Sequence, residues 1–187
     1  MAEINLLDGT IGAWAILSSS LPVNLSGFGM VETGTKINIL AGDTVFEANI
    51  LPDGTLSSWV VNPSAPLPRI IFRSGITKVG NFVISAGGVG GGSTFSDVYY
   101  SQIQGNGSLG PWTQSPNSLP IPLCCGSLAA TNTHLYYTGG HNTESTAYFD
   151  TVYMAPFGEV TEGLNVPDIK QYSPPWNDDE YDFASYW

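Results

Sequence analysis

Four markers recur in register three times along this 187-residue chain: a turn glycine, a tryptophan five residues later, a Leu-Pro pair, and a small residue followed by glycine about twenty residues further on. The first copy carries Asp8-Gly9, Trp14, Leu21-Pro22 and Ala41-Gly42. The second carries Asp53-Gly54, Trp59, Leu67-Pro68 and Ala86-Gly87-Gly88, and the third Asn106-Gly107, Trp112, Leu119-Pro120 and Thr138-Gly139-Gly140. Self-similarity at a period near 50 residues means that one supersecondary unit is stacked on copies of itself, because such a unit cannot bury its apolar face alone.

The residues between the markers read as four short strands per copy. Val-aromatic runs begin at Val45, Val98 and Val152, each just ahead of a turn. Asp-Gly and Asn-Gly favour two-residue hairpin turns with positive φ at both central positions, so residues 45–51 are expected to fold back on residues 56–61. The Pro-rich stretch after each tryptophan cannot donate to a ladder and is read as the link to the next copy. Residues 70–79 and 82–86 flank Gly80-Asn81 as a second hairpin. Trp14, Trp59 and Trp112, recurring at one place on the outer hairpin, are expected to be anchors packed against a neighbouring sheet.

A four-stranded unit of this period has the form of a β-propeller blade. The Val-Tyr strand, the Asp-Gly turn, the tryptophan, the Leu-Pro and the double glycines Gly87-Gly88 and Gly139-Gly140 resemble the kelch-type blades of the galactose oxidase central-domain superfamily. The resemblance covers residues 2–158 and implies an all-β, propeller-like fold, with the double glycines as structural repeat anchors. Blade repeats are thus expected over 1–158, with inner hairpins near 24–41, 69–87 and 121–139 and an unpartnered outer hairpin at 2–17. A fourth, decayed copy begins near Val152 and keeps Gly158 at its turn. Propellers close with about four to eight blades, and three full blades are too few. An open stack would expose two apolar sheet faces, so the chain is expected to form a homo-oligomer or to join a larger assembly.

With five basic residues against sixteen acids, a net charge of −11, the chain has no electrostatic basis for phosphate-backbone binding, and nucleic acid is not an expected partner. More than half of that charge, a net −6, falls in residues 159–187. This acidic C-terminal arm also carries Trp176, Tyr181, Phe183, Tyr186 and Trp187, whereas a purely solvating acidic tail has few aromatics. It is read as a docking arm, either for a partner or for the chain's own open blade. The first residues lack a basic region and an apolar core of secretory length, and no run approaches the ~20 apolar residues of a membrane span. A surface-like composition with no export signal and no membrane insertion fits a virion component made in the host cytoplasm, and repeats of this style also resemble segments of bacteriophage tail and other virion proteins.

Candidate chemistry is sparse. Cys124 and Cys125 are adjacent, the wrong spacing for a zinc pair, and read as buried small residues. Cys124, His134, Tyr136 and His141 match no copper-ligand motif. No serine–histidine–acid set can be defended from spacing, and no catalytic residue, metal or cofactor is assigned. Asp8 and Asp53 sit at equivalent turns and read as structural, while Asp43, Asp97 and Asp150 are expected to brace loops through side-chain to backbone bonds. The glycine-rich run 87–92 lacks the lysine and helix of a phosphate loop and reads as a flexible connection. The expected function is that of a non-enzymatic structural virion protein, a bacteriophage tail-fibre, tail or decoration component serving assembly or host attachment. The alternative is a carbohydrate-binding propeller lectin, with a host-surface glycan as ligand and exposed aromatics stacking on sugar rings.

Overall fold

Three four-stranded antiparallel sheets follow one another in the computed structural model, which describes residues 11–156 and 170–171. Blade 1 comprises β1 (Gly29–Glu32), β2 (Lys36–Ala41), β3 (Thr44–Asn49) and β4 (Val60–Val61), in that spatial order. Blade 2 comprises β5 (Gly75–Val79), β6 (Phe82–Ala86), then, after a small hairpin of β7 (Val89–Gly90) and β8 (Ser93–Thr94), β9 (Val98–Ile103) and β10 (Leu109–Gln114). Blade 3 repeats the plan with β11 (Ser127–Ala130), β12 (His134–Thr138), the small hairpin β13 (His141–Asn142) and β14 (Ala147–Tyr148), then β15 (Val152–Pro156) and β16 (Lys170–Gln171). The inner hairpins are β1–β2, β5–β6 and β11–β12. Lys170–Gln171, inside the span expected to be the arm, instead supplies the fourth strand of blade 3. Because each sequence copy starts at the outer turn, it holds the last strand of one blade and the first three of the next.

The outer turns differ from the two-residue form that Asp-Gly and Asn-Gly predict. Leu51 accepts from the Gly54 N–H at 2.8 Å while its own N–H donates to Thr55 O at 2.8 Å, and of the turn residues only Gly54 has a positive φ, 78°. Gln104, Gly107 (φ 80°) and Ser108 repeat the arrangement. This is the three-residue loop in which a type I turn is followed by a left-handed glycine. Pro52 favours it by fixing φ for the first turn position. Asp53 Oδ1 accepts from the Thr55 N–H and hydroxyl, and Asn106 Oδ1 from the Ser108 N–H, so the Asp/Asn position is structural as read. Asp8 and residues 2–10 of the outer hairpin lie outside the described residues.

Packing between blades comes from the strand alternation. Each blade has a leading face toward the preceding blade and a trailing face toward the next. Leu40 and Val45 on the trailing face of blade 1 meet Val83, Tyr99 and Trp112 of blade 2 in one core, joined by Leu67 and Ile71 from the segment leading into blade 2. Ile84, Ala86 and Val98 meet Leu135, Tyr137 and Tyr153 of blade 3 in a second core, joined by Leu119 and Leu123. Each fully buried aliphatic side chain stabilises the stack by about 1.5–3 kcal/mol. The turn of blade 2 also latches onto blade 1. Thr33 Oγ1 donates to Gly107 O at 2.6 Å, Asn38 Nδ2 to Thr33 Oγ1 at 2.9 Å, and Ser108 Oγ to Glu47 at 3.1 Å beside the buried Lys36–Glu47 ion pair at 3.0 Å.

An open stack was expected to bare two apolar faces, and the leading face of blade 1 departs from this. Ile39, Ala41 and Phe46 are buried there beneath Leu21, Leu25, Phe28 and Trp59. Met30 and Val61, which continue the Ile39–Phe46 row to either edge, stay exposed. The trailing face of blade 3 carries Tyr136, Val152 and Met154, all half-exposed.

Candidate functional site

Two residues ahead of the first strand of each blade the backbone turns left-handed: Gly27 at φ 65°, Arg73 at φ 54° and Cys125 at φ 65°. A non-glycine residue in this region is strained by about 1–2 kcal/mol, so the surroundings must hold Arg73 and Cys125 there. They do so through a ladder from blade to blade. The Arg73 N–H donates to Gly27 O at 2.6 Å and the Cys125 N–H to Arg73 O at 2.9 Å. The ladder brings the starts of all three blades to one locus.

An open cleft of about 420 Å³ lies at this locus, lined by Arg73, Cys125, Gly140, His141, Tyr148 and Phe149. His141 and Tyr148 pair across β13 and β14, and their rings lie 4.6 Å apart between centroids, tilted by 40° to one another. Tyr148 is 85% exposed, which leaves one aromatic face available to a ligand. The lining offers a guanidinium, an imidazole, a phenol and a thiol, and no carboxylate. Among the described residues no three His, Cys, Asp or Glu side chains gather as a metal centre would require. Chemically the cleft is suited to holding a polar ligand against an aromatic platform.

The β13–β14 hairpin lines the cleft with His141 and Tyr148, and the β7–β8 hairpin braces its turn. Thr94 donates through its N–H and hydroxyl to the Glu144 carboxylate, and Thr143 Oγ1 donates to Gly92 O at 3.2 Å. Asn142 Oδ1 accepts from the Glu144 and Ser145 N–H groups at 2.9 Å and closes the β13–β14 turn. The run 87–92 is therefore not the loose connection its composition predicts. Gly88 N–H donates to Leu123 O, Val89 exchanges two bonds with Phe72, and Phe95 N–H donates to Gly88 O, all at 2.8–2.9 Å.

The double glycines owe their identity to this crowding. A Cβ on Gly87 would lie 2.3 Å from Leu123 O, and one on Gly88 2.4 Å from Ile71 Cγ2. On Gly140 it would meet Cys124 O at 2.9 Å, whereas Gly139 has only Phe149 O, at 3.3 Å, and is needed for its φ of 63°.

The tryptophans divide. Trp112 is 8% exposed in the core between blades 1 and 2, Trp59 is half-buried against Ile39 and Phe46, and Trp14, expected to be an anchor, is 84% exposed. For Trp14 the reason is that no preceding blade stands beside it among the described residues. Trp176, Tyr181, Phe183, Tyr186 and Trp187 lie outside the described residues.

Only Cys124 fits the reading of buried small cysteines. It is 1% exposed, and burial together with the neighbouring Cys125 thiol, 3.1 Å away, pushes its own thiol up to about 12; Cys125 is exposed at the cleft. His134 and Tyr136 are on β12, with rings 6.1 Å apart, and do not line the cleft that His141 lines. Asp97 binds the Arg69 and Gln114 side chains, and Asp43 Oδ1 accepts from the Thr44 hydroxyl, so these acids brace their loops through side chains rather than through the expected backbone bonds. The strand lead-ins Arg73 and Cys125 are absent from the sequence-derived site residues. Aligning them with Gly27 would have marked them as non-glycine residues at a glycine position.

No protein-family model and no curated protein matches the sequence. Among solved structures the chain is similar to that of YjhT, a kelch-repeat β-propeller protein, with a TM-score of 0.63 and 14% identity over 87% of this chain. The match covers 55% of that structure, so this chain spans about half its length. The three sheets, their inner and outer hairpins and the glycine pairs that join them are blades of the kelch-type β-propeller fold.

Proposed function

We propose that this protein is a structural component of a virion, of the tail-fibre, tail or decoration kind, in which the blades serve assembly and host attachment and carry no catalytic step. The observation that carries the reading is the trailing face of blade 3. It presents Tyr136 and Val152 half-buried at positions whose equivalents, Asn38 and Ile84 for the first and Val45 and Val98 for the second, are fully covered in the other two blades. A face of that kind is built to be covered. The acidic composition and the aromatic residues of the span 172–187 are in keeping with a protein that works through contacts. Mass spectrometry of density-banded particles from the source lysate tests it. The chain is expected in the particle band at a fixed copy number, and its confinement to the soluble fraction would refute the assignment.

A second reading, a carbohydrate-binding propeller, is favoured by the Tyr148–His141 platform beside Arg73. Aromatic faces with a nearby hydrogen-bond donor fork suit sugar rings. Binding on a glycan array that is lost in Tyr148→Ala would support it, and a blank array would count against it.

A further inference from the structure

We propose that two copies of the chain close head to tail into one six-bladed ring, with the trailing face of blade 3 in each copy seated on the leading side of blade 1 in the other, over the exposed Met30 and Val61 and over the segment 21–28 that covers Ile39, Ala41 and Phe46. The inference rests on the assembly reading above and names the partner as a second copy.

Equivalent positions carry the argument. The strand pairs Leu40–Val45 in blade 1 and Ala86–Val98 in blade 2 correspond to Thr138–Val152 in blade 3. Val45 and Val98 are 0% and 1% exposed, whereas Val152 is half-exposed. The leading side shows the complement. Ile76 and Leu128, each the second residue of its blade's first strand, pack into the junctions ahead of blades 2 and 3, while their counterpart Met30 is 60% exposed. Both open positions are apolar, as are their equivalents, the buried Val45 and Val98 and the partly buried Ile76 and Leu128.

The junctions also have a lock that is left half-made at each end. A Cβ on Gly29 would lie 2.9 Å from Ile76 Cγ2, and one on Gly75 2.9 Å from Leu128 Cβ, so the first strands of blades 1 and 2 begin with a glycine that receives the next blade's aliphatic side chain. Ser127, exposed, stands at that place in blade 3; its Cβ would hold Met30 of a second copy farther from the strand than the two glycines hold Ile76 and Leu128. The backbone ladder runs from Arg73 N–H to Gly27 O and from Cys125 N–H to Arg73 O. It thus ends on a Gly27 N–H at one side and a Cys125 carbonyl at the other. These ends are complementary, and a two-fold ring joins each to the other in both junctions. Three described blades per copy give six, within the range at which propellers close. In the ring, the cleft beside Arg73 would face its twin across the axis.

Light scattering behind a sizing column tests this on the full chain, with a native mass twice the 19.9 kDa of one chain as the expected result. Val152→Lys and Met30→Glu should each give monomers. An equimolar mixture of the two should recover the dimer, because one junction then carries both substitutions, opposite in charge, and the other is native. Circular dichroism melting checks each variant's fold, and Ser127→Arg, at an exposed position, replaces Val152→Lys if that variant does not fold. A monomeric full chain overturns the proposal, as does a dimer that both substitutions leave intact. A dimer that the mixture fails to restore points to like faces pairing and overturns it equally. A chain that dimerises only after deletion of residues 172–187 would show the tail on that face, and the proposal fails for the intact protein. A monomeric chain that is nevertheless found in purified particles sinks this inference and leaves the virion reading standing.

Discussion

Replacing Gly88 by alanine separates the two reasons for a glycine at the blade junction. Its φ of 110° is unfavourable for any side chain, and the added Cβ would lie 2.4 Å from Ile71 Cγ2, 2.9 Å from Phe72 O and 3.2 Å from Ser74 Cβ. Gly91 provides the control, with a φ of 60° and nothing within 4 Å of the same construction. Forcing alanine into a positive-φ region costs about 1–2 kcal/mol, offset in both variants by roughly 0.4–1 kcal/mol of lost unfolded-state entropy. Only Gly88→Ala adds overpacking, about 1–3 kcal/mol, against a carbonyl that is itself held by the Val89 N–H. Gly91→Ala should therefore change stability by about 1 kcal/mol or less, and Gly88→Ala should lower it by about 2–4 kcal/mol. For a chain of this size the latter corresponds to roughly 4–16 °C in Tm, at about 2–4 °C per kcal/mol. Thermal melts followed by circular dichroism, in parallel on the two variants, read the difference. Equal losses would mean that backbone conformation alone selects the glycine and that the close approach of Ile71 and Phe72 has no energetic weight.

Trp112→Ala should destabilise the protein by about 3–5 kcal/mol by opening a cavity between blades 1 and 2, while Trp14→Ala should fall within about 0.5 kcal/mol; chemical denaturation compares them, and a large effect at Trp14 would contradict its exposure. Lys36→Met should cost about 3–5 kcal/mol by stranding the buried Glu47 carboxylate, and Lys36→Met with Glu47→Leu should recover most of it; an unrecovered double variant would show that the Ser108 bond to Glu47 carries the latch. Burial pushes the Tyr137 phenol up to about 12 against an ordinary value of 10.0. Its raised folded-state value means that the stabilising contribution is complete below pH 10 and is lost as the pH rises from 10 toward 12. Ultraviolet phenolate titration should accordingly show a late-ionising class that Tyr137→Phe reduces, and an unchanged titration in that variant would refute the assignment.

Strand content, hairpin order and blade count were legible because they depend on repeated local chemistry: Leu-Pro at 21–22, 67–68 and 119–120 marks the same event in all three copies, and the paired glycines mark one in the second and third. The turn type was misread because Asp53-Gly54 and Asn106-Gly107 are compatible with two geometries, and the preceding Pro52 and the side-chain bonds to Thr55 and Ser108 decide between them. Trp14 was misread because burial belongs to the neighbour and not to the residue. The cleft was not legible at all. Arg73 and Cys125 share a conformation with Gly27 but no side-chain chemistry, and the rim hairpin 141–148 has no recurring residue to announce it beyond the glycines before it.

The half-step offset between the sequence copy and the blade bears on how such chains can lengthen. Cutting at the exposed outer turns, between residues 53 and 54 and again between 106 and 107, isolates a stretch that begins with β4 and ends with β9. Inserting another such stretch at a turn would splice solvent-facing loop to solvent-facing loop, and would hand the interrupted blade a new last strand while starting one more blade behind it. No core would have to be reopened in sequence for the array to grow. The same offset means that, as the chain leaves the ribosome, each blade is finished by the first residues of the copy that follows, so that order of synthesis and order of stacking coincide.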